Sequence, residues 1–326
     1  MRTAFLTGAT GFLGGHVARS LAREGWRIRA LARHLSRAEE LAEEGVEIRP
    51  GDLSAGSDLE SACVGCEAIV HVAGLVKART LDDYREVNLR GTENLLRAAS
   101  KAAPDALFLL VSSQAAAGPG REGRPVQETD PARPVSWYGL SKREGEEAVA
   151  RLWPGAWIVV RPAVVYGPGD RGLLVLFRSA AWGLLPVPGG KRRIQFIEAS
   201  EAALAIARAT ARRDLAGRTG FLSDPEPIAI ADFCRALARV PPKPPLLLPV
   251  PDAAVRVAGW LETIAETLTR RSLPFNADKA REMLAGDWLC DPNPMRSDLK
   301  LPPPTPLEDG LRRTWKWYVD RGWLVL

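Results

Sequence analysis

The sequence predicts an α/β fold: a doubly wound parallel sheet of the Rossmann type, carrying a smaller, mostly C-terminal substrate lobe. Two observations predict it. Up to residue 160, short apolar segments alternate with longer helix-like ones, and the first short segment runs straight into a glycine-rich turn that opens a helix. A parallel crossover needs a helix to cover the sheet face, so strict alternation implies parallel strands.

Strands are expected at Thr3–Thr7, Arg27–Ala32, Val46–Pro50, Ala68–Val72, Leu107–Ser112 and Trp157–Arg161. They are short and apolar, as strands covered on both faces should be. Helices are expected between them at Phe12–Glu24, Ser36–Glu44, Ser57–Cys63, Asp82–Ala102 and Trp137–Leu152. After Arg161 the pattern changes. Proline-rich pieces (Pro186 to Pro188, Pro241 to Pro251, Pro302 to Pro306) separate irregular segments from helices at Glu201–Arg213, Ala253–Thr269 and Leu307–Asp320. Residues 1–165 are therefore expected to form the sheet domain and 166–326 mainly the lobe, with later segments free to return to the sheet. Ligands of open α/β sheets bind at the carboxyl ends of the strands, where such a lobe can roof the crevice.

Composition excludes several classes. The 326 residues are 46% hydrophobic and 25% charged, the balance of a globular enzyme and not of a disordered or fibrous chain. Lys and Arg exceed Asp and Glu by 44 to 39, leaving +5 with no basic block, so nucleic acid is not an expected partner. Four cysteines in so long a chain make no disulfide scaffold. Cys63-Val-Gly-Cys66 has zinc-like spacing, but Cys234 and Cys290 stand apart and no second pair completes a site, so no metal is expected. Met1 leads almost directly into the first strand with no secretory signal, and no apolar run is long enough to span a bilayer. Gly172 to Pro188 comes nearest and is interrupted by Arg178. A cytoplasmic location is expected.

The first strand leads into Thr7-Gly8-Ala9-Thr10-Gly11-Phe12-Leu13-Gly14. Glycines at this spacing allow a tight turn, close approach of backbone to a pyrophosphate, and close helix–strand packing, with the phosphates at the positive end of the helix. The second strand ends at Ala32-Arg33, with Ser36 and Arg37 behind it and no carboxylate before Glu39. An acid here would hold a ribose 2′-hydroxyl, whereas Arg accommodates a 2′-phosphate, so NADP is favoured with NAD possible. Arg33 stacked on adenine or facing solvent is the plainer alternative.

With these elements in place the chain resembles the extended short-chain dehydrogenase/reductase family, which contains NAD(P)-dependent epimerases, dehydratases and 3β-hydroxysteroid-type dehydrogenases. The resemblance rests on the Gly8/Gly11/Gly14 turn, Gly51-Asp52-Leu53, His71-Val72-Ala73-Gly74, Asn88-Leu-Arg-Gly91-Thr92, Ser112-Ser113, Tyr138-x-x-x-Lys142, Arg161-Pro162 and Tyr166-Gly167-Pro168. It implies that Asp52 and Leu53 border the adenine, that Ala73 and Gly74 flank the pyrophosphate and ribose, and that Pro162 belongs to the cofactor site. It also implies a homodimer, since Asp82–Ala102 and Trp137–Leu152 are similar to the helices that pair across such interfaces in the family.

Tyr138 and Lys142 lie one helical turn apart and project from one face. A free phenol, with a pKa near about 10, is a weak acid/base at neutral pH; an adjacent ammonium is expected to lower it. Lys142 can also hold the nicotinamide ribose. Ser113 ends the fifth strand, where its hydroxyl can polarise a substrate oxygen or merely cap the strand end. Together these residues suit hydride transfer at a secondary alcohol or ketone carbon of a small, possibly apolar molecule.

The departures from the family sharpen this expectation. Members that dehydrate sugars resemble one another in an Asp-Glu pair where this chain has Gln114-Ala115. Epimerases tend to carry Asn where Val164 stands, and Arg where Ile194 stands, although Arg192 and Arg193 are close. A nucleotide-sugar epimerase remains the alternative, and a catalytically silent dinucleotide-binding regulator a further one. The apolar runs Leu173–Phe177 and Ala180–Leu185 could line a cleft, touch a membrane surface or simply pack on the core.

Overall fold

The computed structural model describes residues 2–121, 123–269 and 277–324. In chain order the strands are β1 (Thr3–Thr7), β2 (Arg27–Ala32), β3 (Glu47–Pro50), β4 (Ala68–His71), β5 (Leu107–Val111), β6 (Trp157–Pro162), β7 (Val164–Tyr166), β8 (Leu184–Pro188), β9 (Arg193–Ile194), β10 (Phe196–Glu198), β11 (Arg218–Leu222), β12 (Ile228–Ala229) and β13 (Leu246–Val250). Seven of them form one sheet in the order β11-β6-β5-β4-β1-β2-β3, every pairing parallel. The strand order reverses between β1 and β4, and that reversal opens the crevice used by ligands of doubly wound sheets.

Alternation along each strand feeds two cores. Leu6, Val70 and Leu109 face the helices Phe12–Arg23 and Ala199–Ala209, whereas Phe5, Ile69 and Phe108 face Gly91–Ala102 and Trp137–Leu152. A third core holds the lobe together, with Phe177, Trp315 and Tyr318 in one group and Phe196 stacked on Phe233 at 4.5 Å. The chain beyond residue 165 divides between the two parts: β11, Ala199–Ala209 and the segment around Met295 and Leu299 complete the sheet layers, and much of the remainder builds the lobe.

Several boundaries differ from expectation for local reasons. The helix expected from Ser57 starts at Leu59, because the Asp58 carboxylate accepts from Ser61 N and caps it. The helix expected from Glu201 starts at Ala199, capped by Glu198 through Ser200 N. Ser36–Glu44 splits into a 3₁₀ turn, Leu35–Arg37, and a short helix, Glu39–Glu43. The proline-rich pieces taken as irregular contribute β8 and β13, which pair in parallel; a two-stranded ribbon leaves outer N–H positions where proline is tolerated. The long helix expected over Asp82–Ala102 is interrupted. It runs as Leu81–Arg85, a π-helical stretch Glu86–Arg90, then Gly91–Ala102. Among the described residues no helix is long and apolar enough to cross a membrane.

Candidate active site

Each side chain singled out above stands at or just beyond the carboxyl end of a parallel strand, or on the helix that follows β5. β1 ends at Thr7 and turns through Gly8, whose φ of +77° favours glycine. A Cβ on Gly8 would stand 2.6 Å from the backbone N of Ala73, and one on Gly14 only 1.9 Å from the Gly8 carbonyl oxygen. Helix, turn and β4 loop can close this tightly only without side chains. Gly11, beside exposed Thr10, supplies the N-cap of the helix Phe12–Arg23 without a capping side chain, and the first turn carries no acid. The first-turn N–H groups of Phe12, Leu13 and Gly14 have no carbonyl within the helix to bond, so they suit an anionic pyrophosphate. This cradle fits a dinucleotide.

Arg33 is exposed past the end of β2. The Asp52 carboxylate accepts from Ser54 N at 2.8 Å and Ser57 Oγ at 2.5 Å, and bonds from these serines, helped by the Arg33 charge, hold its pKa down at about 2. Leu53 packs against Gly91, where a Cβ would meet its own at 3.1 Å. On β4, His71 is fully buried and burial, reinforced by the Lys142 charge, pushes its pKa down to about 3. The neutral ring is held by two threonines. Thr92 Oγ1 donates to Asn88 O, so it accepts from His71 Nε2 at 3.0 Å; His71 Nδ1 then accepts from Thr7 Oγ1 at 2.6 Å. Thr7 Oγ1 in turn accepts from Ala73 N at 3.3 Å, which fixes the loop of Ala73 and Gly74.

The catalytic candidates meet. Ser113 caps the short helix Gln114–Ala117, accepting from Ala115 N at 3.1 Å, and its hydroxyl lies near enough to the Tyr138 phenol to pull that group's pKa down. Capping and proximity to the phenol therefore coexist. Lys142 lies one turn further along, buried, its Nζ donating to Val111 O at 2.8 Å. A Cβ on Gly74 would stand 3.5 Å from that Nζ. Pro162 closes β6, buried and level with Leu222 of β11.

One expectation needs correction. Burial raises the Tyr138 pKa instead of lowering it; the nearby Ser113 hydroxyl opposes that rise, and the Glu282 carboxylate adds to it. The Lys142 ammonium turns to the Val111 carbonyl, and burial lowers its pKa to about 8. The residues alone thus keep Tyr138 protonated at neutral pH, a donor of its proton.

The sequence reading gave no role to Asn88, which the π-helical stretch carries. Its Oδ1 accepts from Leu75 N at 2.7 Å, and its Nδ2 donates to Leu75 O at 3.0 Å and to Ser141 Oγ at 2.9 Å. It joins the β4 loop to the catalytic helix beside Lys142. A π bulge redirects side chains and is frequent at functional sites. The available signal was an amide of poor helix propensity inside an otherwise regular helix. Ser112 and Arg161, motif residues above, share a partner the sequence did not point to: both donate to Glu146 of the catalytic helix. At that helix's start, the Asp278 carboxylate accepts from Trp137 N at 3.0 Å and Glu282 accepts from Ser136 Oγ at 2.6 Å. Arg192 and Arg193, the candidates for a sugar-nucleotide diphosphate, are engaged by Asp252 and Asp287. The four cysteines are buried free thiols, and burial pushes Cys63 up to about 12. Among the described residues no cluster of three or more His, Cys, Asp or Glu could hold a metal ion.

Comparison with known proteins agrees with this arrangement. A family model described as "NAD dependent epimerase/dehydratase family" matches residues 4–219. A ceramide reductase of Caulobacter vibrioides is 37% identical over 322 residues, covering 98% of this chain and 95% of that protein. A UDP-glucose 4-epimerase of Vibrio cholerae is 27% identical, covering 98% and 96%. The crystal structure of UDP-glucuronic acid 4-epimerase from Bacillus cereus in complex with NAD superposes with a TM-score of 0.77 at 17% identity, covering 97% of this chain and 96% of that one, which is a likeness of fold. The chain belongs to the NAD dependent epimerase/dehydratase family, the extended short-chain dehydrogenase/reductases, and is an NAD(P)-dependent oxidoreductase or epimerase of that type.

Proposed function

We propose that the protein reduces a ketone of an apolar, lipid-like substrate with NADPH, using Ser113, Tyr138 and Lys142. The single observation that carries this reading is the Tyr138 phenol placed near Ser113 at the end of β5 and one turn from Lys142, in a setting that raises its pKa. Carbonyl reduction needs an acid beside the substrate oxygen, and this phenol is one. Ser113 orients and polarises that oxygen, Tyr138 delivers its proton to it, and Lys142 holds the nicotinamide ribose. The bound dinucleotide supplies hydride equivalents to the carbonyl carbon. Gly8, Thr10, Gly11, Phe12, Leu13 and Gly14 hold the pyrophosphate; Asp52 and Leu53 border the adenine; Ala73 and Gly74 flank the pyrophosphate and ribose; Pro162 completes the cofactor site.

Two features favour an apolar carbonyl over a sugar nucleotide. Val76 and Trp137 are exposed beside Tyr138: Trp137 precedes it, and the Val76 carbonyl accepts from Tyr84, whose ring lies 6.0 Å from the Tyr138 ring. Arg192 and Arg193 already have carboxylate partners, so neither offers a diphosphate an unpaired guanidinium. The ceramide reductase among the relatives supports the same substrate class. The test is NADPH consumption with a panel of long-chain 3-oxo amides and ketones set beside UDP-sugars. Turnover of the former is expected. Interconversion of UDP-sugars without net cofactor change would replace this reading with the epimerase.

Preference for NADP is supported by Arg33, exposed just past the end of β2, where its charge also reaches Asp52. Arg33→Ala is expected to weaken NADPH binding by roughly 10- to 100-fold, the size of a lost charge-assisted hydrogen bond, while NADH binding stays within about twofold. Fluorescence titration with both dinucleotides reads the difference. We also propose that the protein is a cytoplasmic homodimer paired through the helices Gly91–Ala102 and Trp137–Leu152.

A further inference from the structure

We infer that the lobe carries a docking face for an anionic lipid bilayer. The inference goes beyond the proposed reaction and does not depend on it.

The β8–β13 ribbon is apolar on both sides. Leu185 and Leu247 face the lobe core. Their neighbours Leu184 and Leu246 are paired in register and lie on the outer face, 48% and 63% exposed, with Leu248 beside them. An outer face in contact with water alone would be polar, as alternating strands normally are. The helix Leu174–Ala181 extends this surface: Val175, Arg178 and Trp182 follow one another on its outer side, and Trp182 is 77% exposed. Trp182 joins the ribbon directly, since Leu246 N donates to the carbonyl of Gly183.

The next helix, Asp252–Thr269, is patterned inside out. Its packed side presents Val255, Gly259, Glu262 and Thr263, and Thr263 Oγ1 accepts from Ala277 N. Its outer side presents Ala253, Val257, Trp260 and Leu261, with Trp260 61% exposed. The i, i+4, i+7, i+8 spacing makes a continuous apolar stripe. Leu, Val and Trp turned outward on a helix are what an interfacial helix carries into the headgroup region.

Charge selects the occupant. The segment 171–191 contains Arg171, Arg178 and Lys191 with no carboxylate, and 240–261 adds Lys243 and Arg256. The sole acid in these two segments, Asp252, is paired with Arg192. In a twofold contact between copies, these cations would meet a second set of like charges, with Asp252 already shared between Arg192 and Arg256. An anionic bilayer neutralises them, while tryptophan rings settle at its interface. The same surface lies one layer from the active site, because Asp252–Thr269 packs on Ala277–Leu284, whose Asp278 and Glu282 hold the start of the catalytic helix.

The test is co-sedimentation of the full chain with vesicles of phosphatidylcholine alone or of equal parts phosphatidylcholine and phosphatidylglycerol. Binding to the anionic vesicles is expected. It should fall at least tenfold for Trp182→Ser/Leu246→Ser/Trp260→Ser, and similarly for Lys191→Gln/Lys243→Gln/Arg256→Gln. Both variants should keep the wild-type circular dichroism and NADPH titration. Should the serine variant fold poorly, salt supplies the second measurement: at 1 M the Debye length shrinks to about 3 Å, and the wild type should release. Equal binding to neutral and anionic vesicles would overturn the role of charge. Absence of vesicle binding, or a wild-type dimer split by the serine substitutions in size-exclusion chromatography, would overturn the proposal.

Discussion

Tyr138→Phe is expected to lower kcat by about 10²- to 10⁴-fold, the usual contribution of a positioned general acid, while NADPH binds within about twofold of wild type. The substitution deletes one oxygen from a ring that the fold already holds. Tyr84 packs at 6.0 Å from it, and Ser136 caps the helix that carries it by accepting from Gly139 N at 3.1 Å. Nothing in the glycine cradle touches the phenol, so cofactor affinity is insulated from the change. The residual rate should lose the fall at high pH that deprotonation of this group causes. Steady-state kinetics with a saturating ketone, beside fluorescence titration of NADPH, separate the two quantities. A variant retaining more than about a tenth of wild-type kcat would remove Tyr138 from the chemistry.

Glu146→Ala should produce the largest loss of stability, roughly 3–5 kcal/mol, because it strands a buried guanidinium. Arg161 Nε and Nη2 donate to the two carboxylate oxygens of Glu146 at 2.8 and 2.7 Å, and both side chains are buried. Ser112 Oγ adds a 2.6 Å bond to the same carboxylate, and Arg143 approaches from the solvent side at 3.2 Å. The cluster ties the ends of β5 and β6 to the helix bearing Tyr138 and Lys142. Urea denaturation should show the drop in midpoint with little change in slope. Glu146→Gln, whose one amide oxygen can accept only two of these four bonds and carries no charge, should fall between alanine and wild type. An alanine variant within about 1 kcal/mol of wild type would show that water replaces the carboxylate.

The parts of this molecule legible in its sequence are those that short-range rules determine. β1 and β2 fall on the expected residues and the next four strands within one residue at an end, because each is an apolar run bounded by a glycine, proline or polar turn. The helix Trp137–Leu152 begins where Ser136 can cap it and stops as the chain enters Trp153-Pro154. β11 could not be read in this way. Arg218-Thr-Gly-Phe-Leu222 has a glycine at its centre, and the reason is tertiary: a Cβ on Gly220 would meet Met295 Cγ at 2.3 Å. Asp278 and Glu282 were equally silent, because the backbone and hydroxyl groups they hold lie 141 and 146 residues away along the chain. For the site, motif spacing identified the residues, whereas the protonation of Tyr138 followed from burial and from Glu282, which spacing does not encode.

The π-helical stretch at Glu86–Arg90 has a consequence for how this chain can vary. Deleting one residue there would restore the ordinary i to i−4 ladder and give a more regular helix. It would also rotate everything before the deletion by about 100° relative to everything after it, the angle one residue subtends in an α-helix. The carboxamide that now spans the β4 loop and Ser141 would swing out of reach of one of them. A regular helix and the Asn88 bridge are therefore alternatives at this short segment, and the chain holds the bridge.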